Sequence, residues 1–126
     1  IATPAQGRSV ARYLADPNTF DTPVPFPSLT RSDPAFDPER GYWRGPVWID
    51  QAYFAVEGLQ RTGYRGLART SRDRLLRQAA GMGRDDPVYE NYDPLSGRGL
   101  NAANFSWSAA HFLLLMQRSS LTRLWP

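Results

Sequence analysis

Apolar residues recur at helical spacing in about four stretches of this chain, and two long segments rich in proline, glycine and aspartate separate them. Thr3, Pro4 and Gln6 supply an N-cap, a first-turn proline and a capping-box partner, which predicts a short helix to about Leu14. From Asp16 to Glu39 the prolines at 17, 23, 25, 27, 34 and 38 remove backbone donors and disfavour helix before each ring, so this segment is expected to be an extended loop. Loops longer than about 12 to 15 residues in a compact domain are usually functional or disordered.

Gly45 and Pro46 are expected to open a second helix that reaches about Arg61, with Ile49, Phe54 and Val56 among its apolar residues and Gly63 just past its end. A third helix is predicted from about Arg65 to Ala80. Leu67, Leu75, Leu76 and Ala79 suit its buried face, and Gly81 with Gly83 suits its stop. Arg61, Arg65, Arg69 and Arg72 would line another face, which reads as solvated. Residues 84–104 form the second irregular stretch. Ser106 or Asn104 can then cap a last helix that holds Trp107, Phe112 and the run Leu113 to Met116, apolar nearly all round and therefore expected to be buried. The fold class expected is all-α, with two long loops.

Composition narrows the partners more than the fold. The 126 residues allow a single domain with a real core but do not prove a complete one. Without cysteine there is no disulfide framework or thiolate metal site, which favours a reducing, cytoplasmic setting. The opening IATPAQGRSV lacks a charged start followed by a long apolar run, and no segment approaches the roughly 20 apolar residues of a membrane span. All 15 basic residues are arginine, and a net charge of +3, scattered along the chain, does not imply nucleic acid.

Candidate chemistry sits in two stretches: YWRGPVW at 42–48 and YENYDPLSGRGLNAANFSWSAA at 89–110. Of the three glutamates, Glu57 lies mid-helix and Glu39 in the proline-rich loop. Glu90 stands between Tyr89 and Asn91 with Tyr92 close by, where aromatic walls can desolvate a carboxylate toward a working general base. A solvated or ion-paired loop glutamate fits the same spacing. Tyr42, Trp43 and Trp48 make either a core cluster at a helix entry or a sugar platform, because pyranose rings present apolar CH faces with polar rims. Arg44 can pair with a nearby aspartate or fork onto a ligand.

Other motifs are weaker. Gly97, Gly99 and Ala102 match GxGxxA, but no βαβ pattern surrounds them. His111, the single histidine, lies inside the apolar last helix and reads as a satisfied core residue. Calcium at Asp85 and Asp86 has little support, and neither a metal nor another cofactor is expected.

Taken together, PFPSLTRSDPAF, YWRGPVW, GLQRTGY, YENYDPLSGRGL and FSWSAA resemble, in order and separation, inverting glycoside hydrolases of family 63, and more distantly the trehalases of family 37. The resemblance covers about Ile1 to Met116. It implies an (α/α)6 barrel with its active site in the loops at one end, of whose twelve helices this chain would hold about four. It implies Glu90 as the general base, with Tyr42, Trp43, Arg44 and Trp48 lining the sugar pocket, an aromatic trio similar to that of glucosylglycerate and mannosylglycerate hydrolases. Trp107 would be a neighbouring wall, and the loop around Phe26 would pack near the mouth.

The family's general acid is an aspartate in an SGWD-like motif, and nothing here matches it. Asp33, Asp50 and Asp93 are carboxylates, but none fits the family correspondence. Residues 1–126 are therefore expected to be the C-terminal segment of a glycosidase domain, inactive alone. Its expected partners are a small carbohydrate and either the rest of the barrel or a second copy. A non-catalytic carbohydrate-binding remnant is the alternative, followed by a purely structural helical module.

Overall fold

The computed structural model describes residues 2–82 and 85–121, with side chains to residue 117. These residues form four helices, α1 (Pro4–Leu14), α2 (Ile49–Arg61), α3 (Arg65–Gln78) and α4 (Ser106–Leu121), and a two-stranded hairpin of β1 (Tyr89–Tyr92) and β2 (Gly99–Ala103). α2 packs on both α3 and α4, and β1 lies against α4. The core runs through Val24, Val47, Ile49, Ala52, Val56, Ala68, Leu75, Tyr92, Phe112 and Leu115, and Ala11 of α1 joins it, so every element except β2 contributes.

α1 begins as its sequence requires. Thr3 Oγ1 accepts the Gln6 amide while the Thr3 amide donates to Gln6 Oε1 at 2.8 Å. Such a cap is worth about 1 kcal/mol.

The expected start of α2 at Gly45 and Pro46 is corrected to Ile49. Val47 exchanges hydrogen bonds with Tyr92, its amide donating at 2.8 Å and its carbonyl accepting at 3.0 Å. Pairing to the hairpin therefore keeps the chain extended until Trp48, and Asp50 in the first helical turn complements the helix dipole. Phe54, expected among the apolar residues of this helix, points outward and is 61% exposed.

The expected helical class stands in the four helices, and the stretch read as irregular adds one short two-stranded hairpin to it. In its turn Asp93 is the organiser: it accepts the Leu95 amide and the Ser96 hydroxyl, and its own amide donates to the Arg98 carbonyl. Gly97 has φ 76° and its Cα faces the Gln78 carbonyl so closely that an added Cβ would sit 2.0 Å from that oxygen. Ala80 donates to the Gly97 carbonyl at 2.9 Å, which turns the chain out of α3 at Gln78 and not at Ala80. Gly83, the second expected stop residue, and residue 84 lie outside the described residues.

On α3, Leu75 and Ala79 are buried and Leu67 and Leu76 partly so, as the pattern requires, with Ala68 and Ser71 fully buried beside them. Arg61, Arg65 and Arg69 are exposed, but Arg72 is corrected: its guanidinium is largely buried and paired with Asp73 at 2.8 Å. Arg74, next along, reaches the long loop and holds the Asp21 carboxylate together with the Thr22 and Pro23 carbonyls. Val24 in turn donates to the Pro94 carbonyl at 2.9 Å, and Val24 to Pro27 are buried. The proline-rich loop is thus a packed part of the core.

The last helix departs from expectation most. Phe112 and Leu115 are buried, but Leu113 is 60% exposed and Leu114 and Met116 are also exposed. Packing within this chain covers only one face of a helix that is apolar nearly all round. Among the described residues no helix is long and apolar enough to cross a membrane.

Candidate active site

The hairpin and the 41–48 segment converge through the Val47 to Tyr92 bridge, and this sets the residues named from the two motifs side by side. Strand pairing is Tyr89 with Ala103 and Asn91 with Leu100, so an extra residue on β2 makes a β-bulge opposite Glu90. Asn101, within that bulge, takes the left-handed conformation at φ 60°. A bulge bends its strand and re-aims the neighbouring side chain, a device common beside active sites.

Glu90 is half-buried. Its Oε1 accepts the Tyr42 hydroxyl at 2.6 Å, its Oε2 lies 3.4 Å from the Ala102 amide, and its carbonyl accepts the Ser108 hydroxyl at 2.9 Å. The bond to Glu90, then burial and the Glu90 charge, hold the Tyr42 phenol above its ordinary titration range, so it remains a donor. Asn101 Nδ2 donates to Asn91 Oδ1 at 2.8 Å, and Asn91 is fully buried. That amide pair ties the two strands together at the bulge.

The aromatic residues form a graded wall. Trp43 and Trp48 stack with ring centres 3.8 Å apart and planes 6° from parallel, Tyr42 stands edge-on to Trp48 at 4.9 Å, and Trp107 approaches Trp48 at 6.4 Å. Trp48 is buried, and its indole N–H donates to the Tyr42 carbonyl at 2.9 Å. Tyr42, Trp43 and Trp107 are each close to half exposed. Trp48 is therefore the core anchor, and Trp43, stacked on it, stays about half exposed.

Arg44 is exposed, and its backbone closes a turn with Asp37, whose amide donates to the Arg44 carbonyl at 2.8 Å. Backbone amides of Arg40 and Glu39, and the charges of Arg44 and Arg40, hold the Asp37 carboxyl below its usual range against the opposing effect of partial burial. Among the described residues the Arg44 guanidinium has no carboxylate at ion-pair distance, which leaves it available to a ligand. Ser28, in the loop around Phe26, ties that loop to this segment: its hydroxyl accepts the Gly45 amide and its amide donates to the Pro46 carbonyl, each at 3.1 Å.

The remaining candidates serve the fold. Asp33 caps a turn by accepting the Ala35 amide, Asp93 organises the hairpin, and Asp50 is buried at the start of α2 beside Gln51. His111 is half-buried against Tyr53 and Phe54, with Nδ1 2.9 Å from the Trp107 carbonyl, an acceptor, so Nδ1 carries the proton. Gly97 and Gly99 belong to an antiparallel hairpin and not to a phosphate-binding turn before a helix. Asp85 and Asp86 are exposed, and among the described residues no group of three or more His, Cys, Asp or Glu could hold a metal ion. Sequence reasoning missed Ser108 and the Asn91 and Asn101 pair; their polarity beside apolar neighbours was the available signal.

The two segments thus present an exposed aromatic face, an arginine with no carboxylate at ion-pair distance among the described residues, and a carboxylate held by a phenol. Residues 1–108 match the mannosylglycerate hydrolase MGH1-like glycoside hydrolase domain, and the chain belongs to that family, within glycoside hydrolase family 63. It is 37% identical over 111 residues to the mannosylglycerate hydrolase of Rubrobacter radiotolerans, an alignment that covers 86% of this chain and 24% of the relative. The structure is similar to that of a family 63 mannosylglycerate hydrolase from Thermus thermophilus in complex with Tris and D-glycerate, at a TM-score of 0.77 and 31% identity, over 91% of this chain and 27% of the other. The glucose complex of the same enzyme gives a TM-score of 0.72 at 29% identity, over 93% of this chain and 28% of the other. The chain spans about a quarter of the length of the curated relatives it matches.

Proposed function

We propose that residues 1–126 are the C-terminal segment of an inverting glycoside hydrolase domain, a partial (α/α)6 barrel with about four of its twelve helices, acting on a small α-glycoside. The observation that carries this reading is the Glu90 carboxylate, held at 2.6 Å by Tyr42 next to the exposed Trp43 face. Glycerate and glucose, bound by the Thermus thermophilus enzyme, point to a hexosyl glycerate as substrate.

Glu90 takes a proton from water, whose oxygen attacks the anomeric carbon as the glycosidic bond breaks. The leaving oxygen takes its proton from a general acid outside this chain. Inverting enzymes need those two carboxyl groups about 6.5 to 9.5 Å apart, with water between one of them and the sugar. Trp43 would face the apolar side of the ring, Trp48 support Trp43, Arg44 take the glycerate carboxylate or a hydroxyl, and Trp107 close one side.

The test is hydrolysis of mannosylglycerate by a domain that carries this segment, followed by proton NMR. The expected first product is the β-anomer of the free sugar. Release of the α-anomer first would overturn the inverting assignment, and no hydrolysis with retained sugar binding would favour the carbohydrate-binding remnant. That second reading draws on Asp33, Asp50 and Asp93, whose carboxylates are engaged by Ala35, Gln51 and the hairpin turn.

The exposed side of α4 and α2 fits the same reading. Leu113, Leu114, Met116 and Phe54 would be covered by the rest of the barrel, and in its absence by a second copy. Sedimentation velocity on the 126-residue chain is expected to show concentration-dependent association, and Phe54→Glu with Leu113→Glu to restore the monomer. A monomer at every concentration would exclude covering by a second copy.

A further inference from the structure

We propose that Tyr42 is a positioning residue for the Glu90 carboxylate, in addition to any contact it makes with sugar, and that this clamp assigns water activation to the second oxygen, Oε2. The inference rests on the reading of Glu90 as the base and specifies how that base is aimed.

Three independent observations converge on it. First, the Tyr42 hydroxyl donates to Oε1 at 2.6 Å from 48 residues away, whereas among the described residues Oε2 has only the Ala102 amide at 3.4 Å. A bond of 2.6 Å to an ionised acceptor is among the strong ones, while 3.4 Å lies beyond the usual range for an amide donor. Oε1 is thereby occupied, and Oε2 keeps capacity for a proton from water.

Second, the backbone is bent to make this contact. Tyr42 sits in the left-handed region at φ 55°, which costs a bulky residue about 1 to 2 kcal/mol and persists only where the surroundings enforce it. Here the buried Trp48 indole holds the Tyr42 carbonyl, and Gly41 before it lies so close to the Asp37 carbonyl that an added Cβ would sit 2.4 Å from that oxygen.

Third, the β2 bulge lies opposite Glu90, with Asn101 left-handed and bonded to buried Asn91, and it holds the Ala102 amide 3.4 Å from Oε2, too far for a strong bond. The strained Tyr42 turn therefore holds Oε1, and the bulge leaves Oε2 with the weaker contact.

Two experiments test it. In the 126-residue chain, carbon NMR of the tyrosine Cζ atoms should show Tyr42 titrating above its ordinary range, and Glu90→Gln should lower it. An ordinary titration in the unsubstituted chain would overturn the clamp. In a domain that carries this segment, Tyr42→Phe should lower kcat for mannosylglycerate by about tenfold to a hundredfold, the scale of a misaligned reacting group. In a Glu90→Gln background the same change should cost less than about twofold, because a residue that acts through Glu90 has nothing left to position. Equal losses in both backgrounds would make Tyr42 a sugar contact only. Should Glu90→Gln itself retain turnover, the base assignment fails, and the NMR result then reports the clamp by itself. Tyr42 is partly exposed and Phe keeps the ring against Trp48, so the variant is expected to fold.

Discussion

Glu90→Gln, in a domain that carries this segment, is expected to lower kcat by about 10²- to 10⁴-fold, the contribution typical of a positioned general base. Binding of glucose or D-glycerate should be little changed. The amide is nearly isosteric with the carboxylate and can still accept the Tyr42 hydroxyl through its oxygen, so the surroundings keep their shape while the carboxylate proposed as the base is lost. The split matters more than the size. An interaction made only as the transition state forms lowers kcat and kcat/KM together, whereas a ground-state contact raises KM alone. Turnover within about twofold of the unsubstituted domain would remove Glu90 from the mechanism, since a general base is worth far more than that. A loss confined to KM would convert it to a sugar contact, and the aromatic wall would then be the whole of the site.

Local signals were legible in the sequence and long-range ones were not. The Thr3 cap depends on residues three apart, and it formed with both of its reciprocal bonds. The hairpin was hidden because its strands are four and five residues long, lack alternation, and pair across a bulge, so a periodicity search had nothing to lock onto. The early start assigned to α2 has the same origin: Gly45 and Pro46 look like a helix opening until Tyr92, far along the chain, claims the Val47 backbone. Arg74 has no local mark of its role, and only folding shows that it holds three groups of a loop more than fifty positions away.

The candidate site divides similarly. Each of Tyr42, Trp43, Trp48, Glu90 and Trp107 could be named from its motif, but residue types do not record who touches whom. That Tyr42 bonds to Glu90, and that the two tryptophans split into a buried and an exposed member, required the fold. The expectation of a buried α4 failed for an informative reason. A sequence pattern reports how apolar a helix is and not which of its sides are covered, and Leu113 and Met116 lie exposed among the described residues.

The second large effect follows from the division between the tryptophans. Trp48→Ala is expected to destabilise the chain by about 3 to 5 kcal/mol, the usual cost of emptying a buried tryptophan site. The total stability of a domain is about 5 to 15 kcal/mol, so this variant should have a sharply lowered denaturation midpoint or fail to fold. The loss includes more than volume: the indole N–H that fixes the Tyr42 carbonyl goes too, and with it the support for the left-handed turn beneath the Glu90 clamp. Trp43→Ala removes a ring that is 48% exposed and should cost only about 1 kcal/mol, the worth of one aromatic stack. Its effect should appear in sugar affinity, weakened at least about tenfold, or about 1.4 kcal/mol. Urea denaturation beside calorimetric titration with glucose reads both quantities on the same variants, and Trp48→Phe retains enough ring to keep the comparison open if Trp48→Ala does not fold. Equal stability losses for the two alanine variants would show that Trp43 belongs to the core. Unchanged glucose affinity in folded Trp43→Ala would leave the exposed indole without a role in recognition, and the sugar would have to rest on Trp107 and Tyr42.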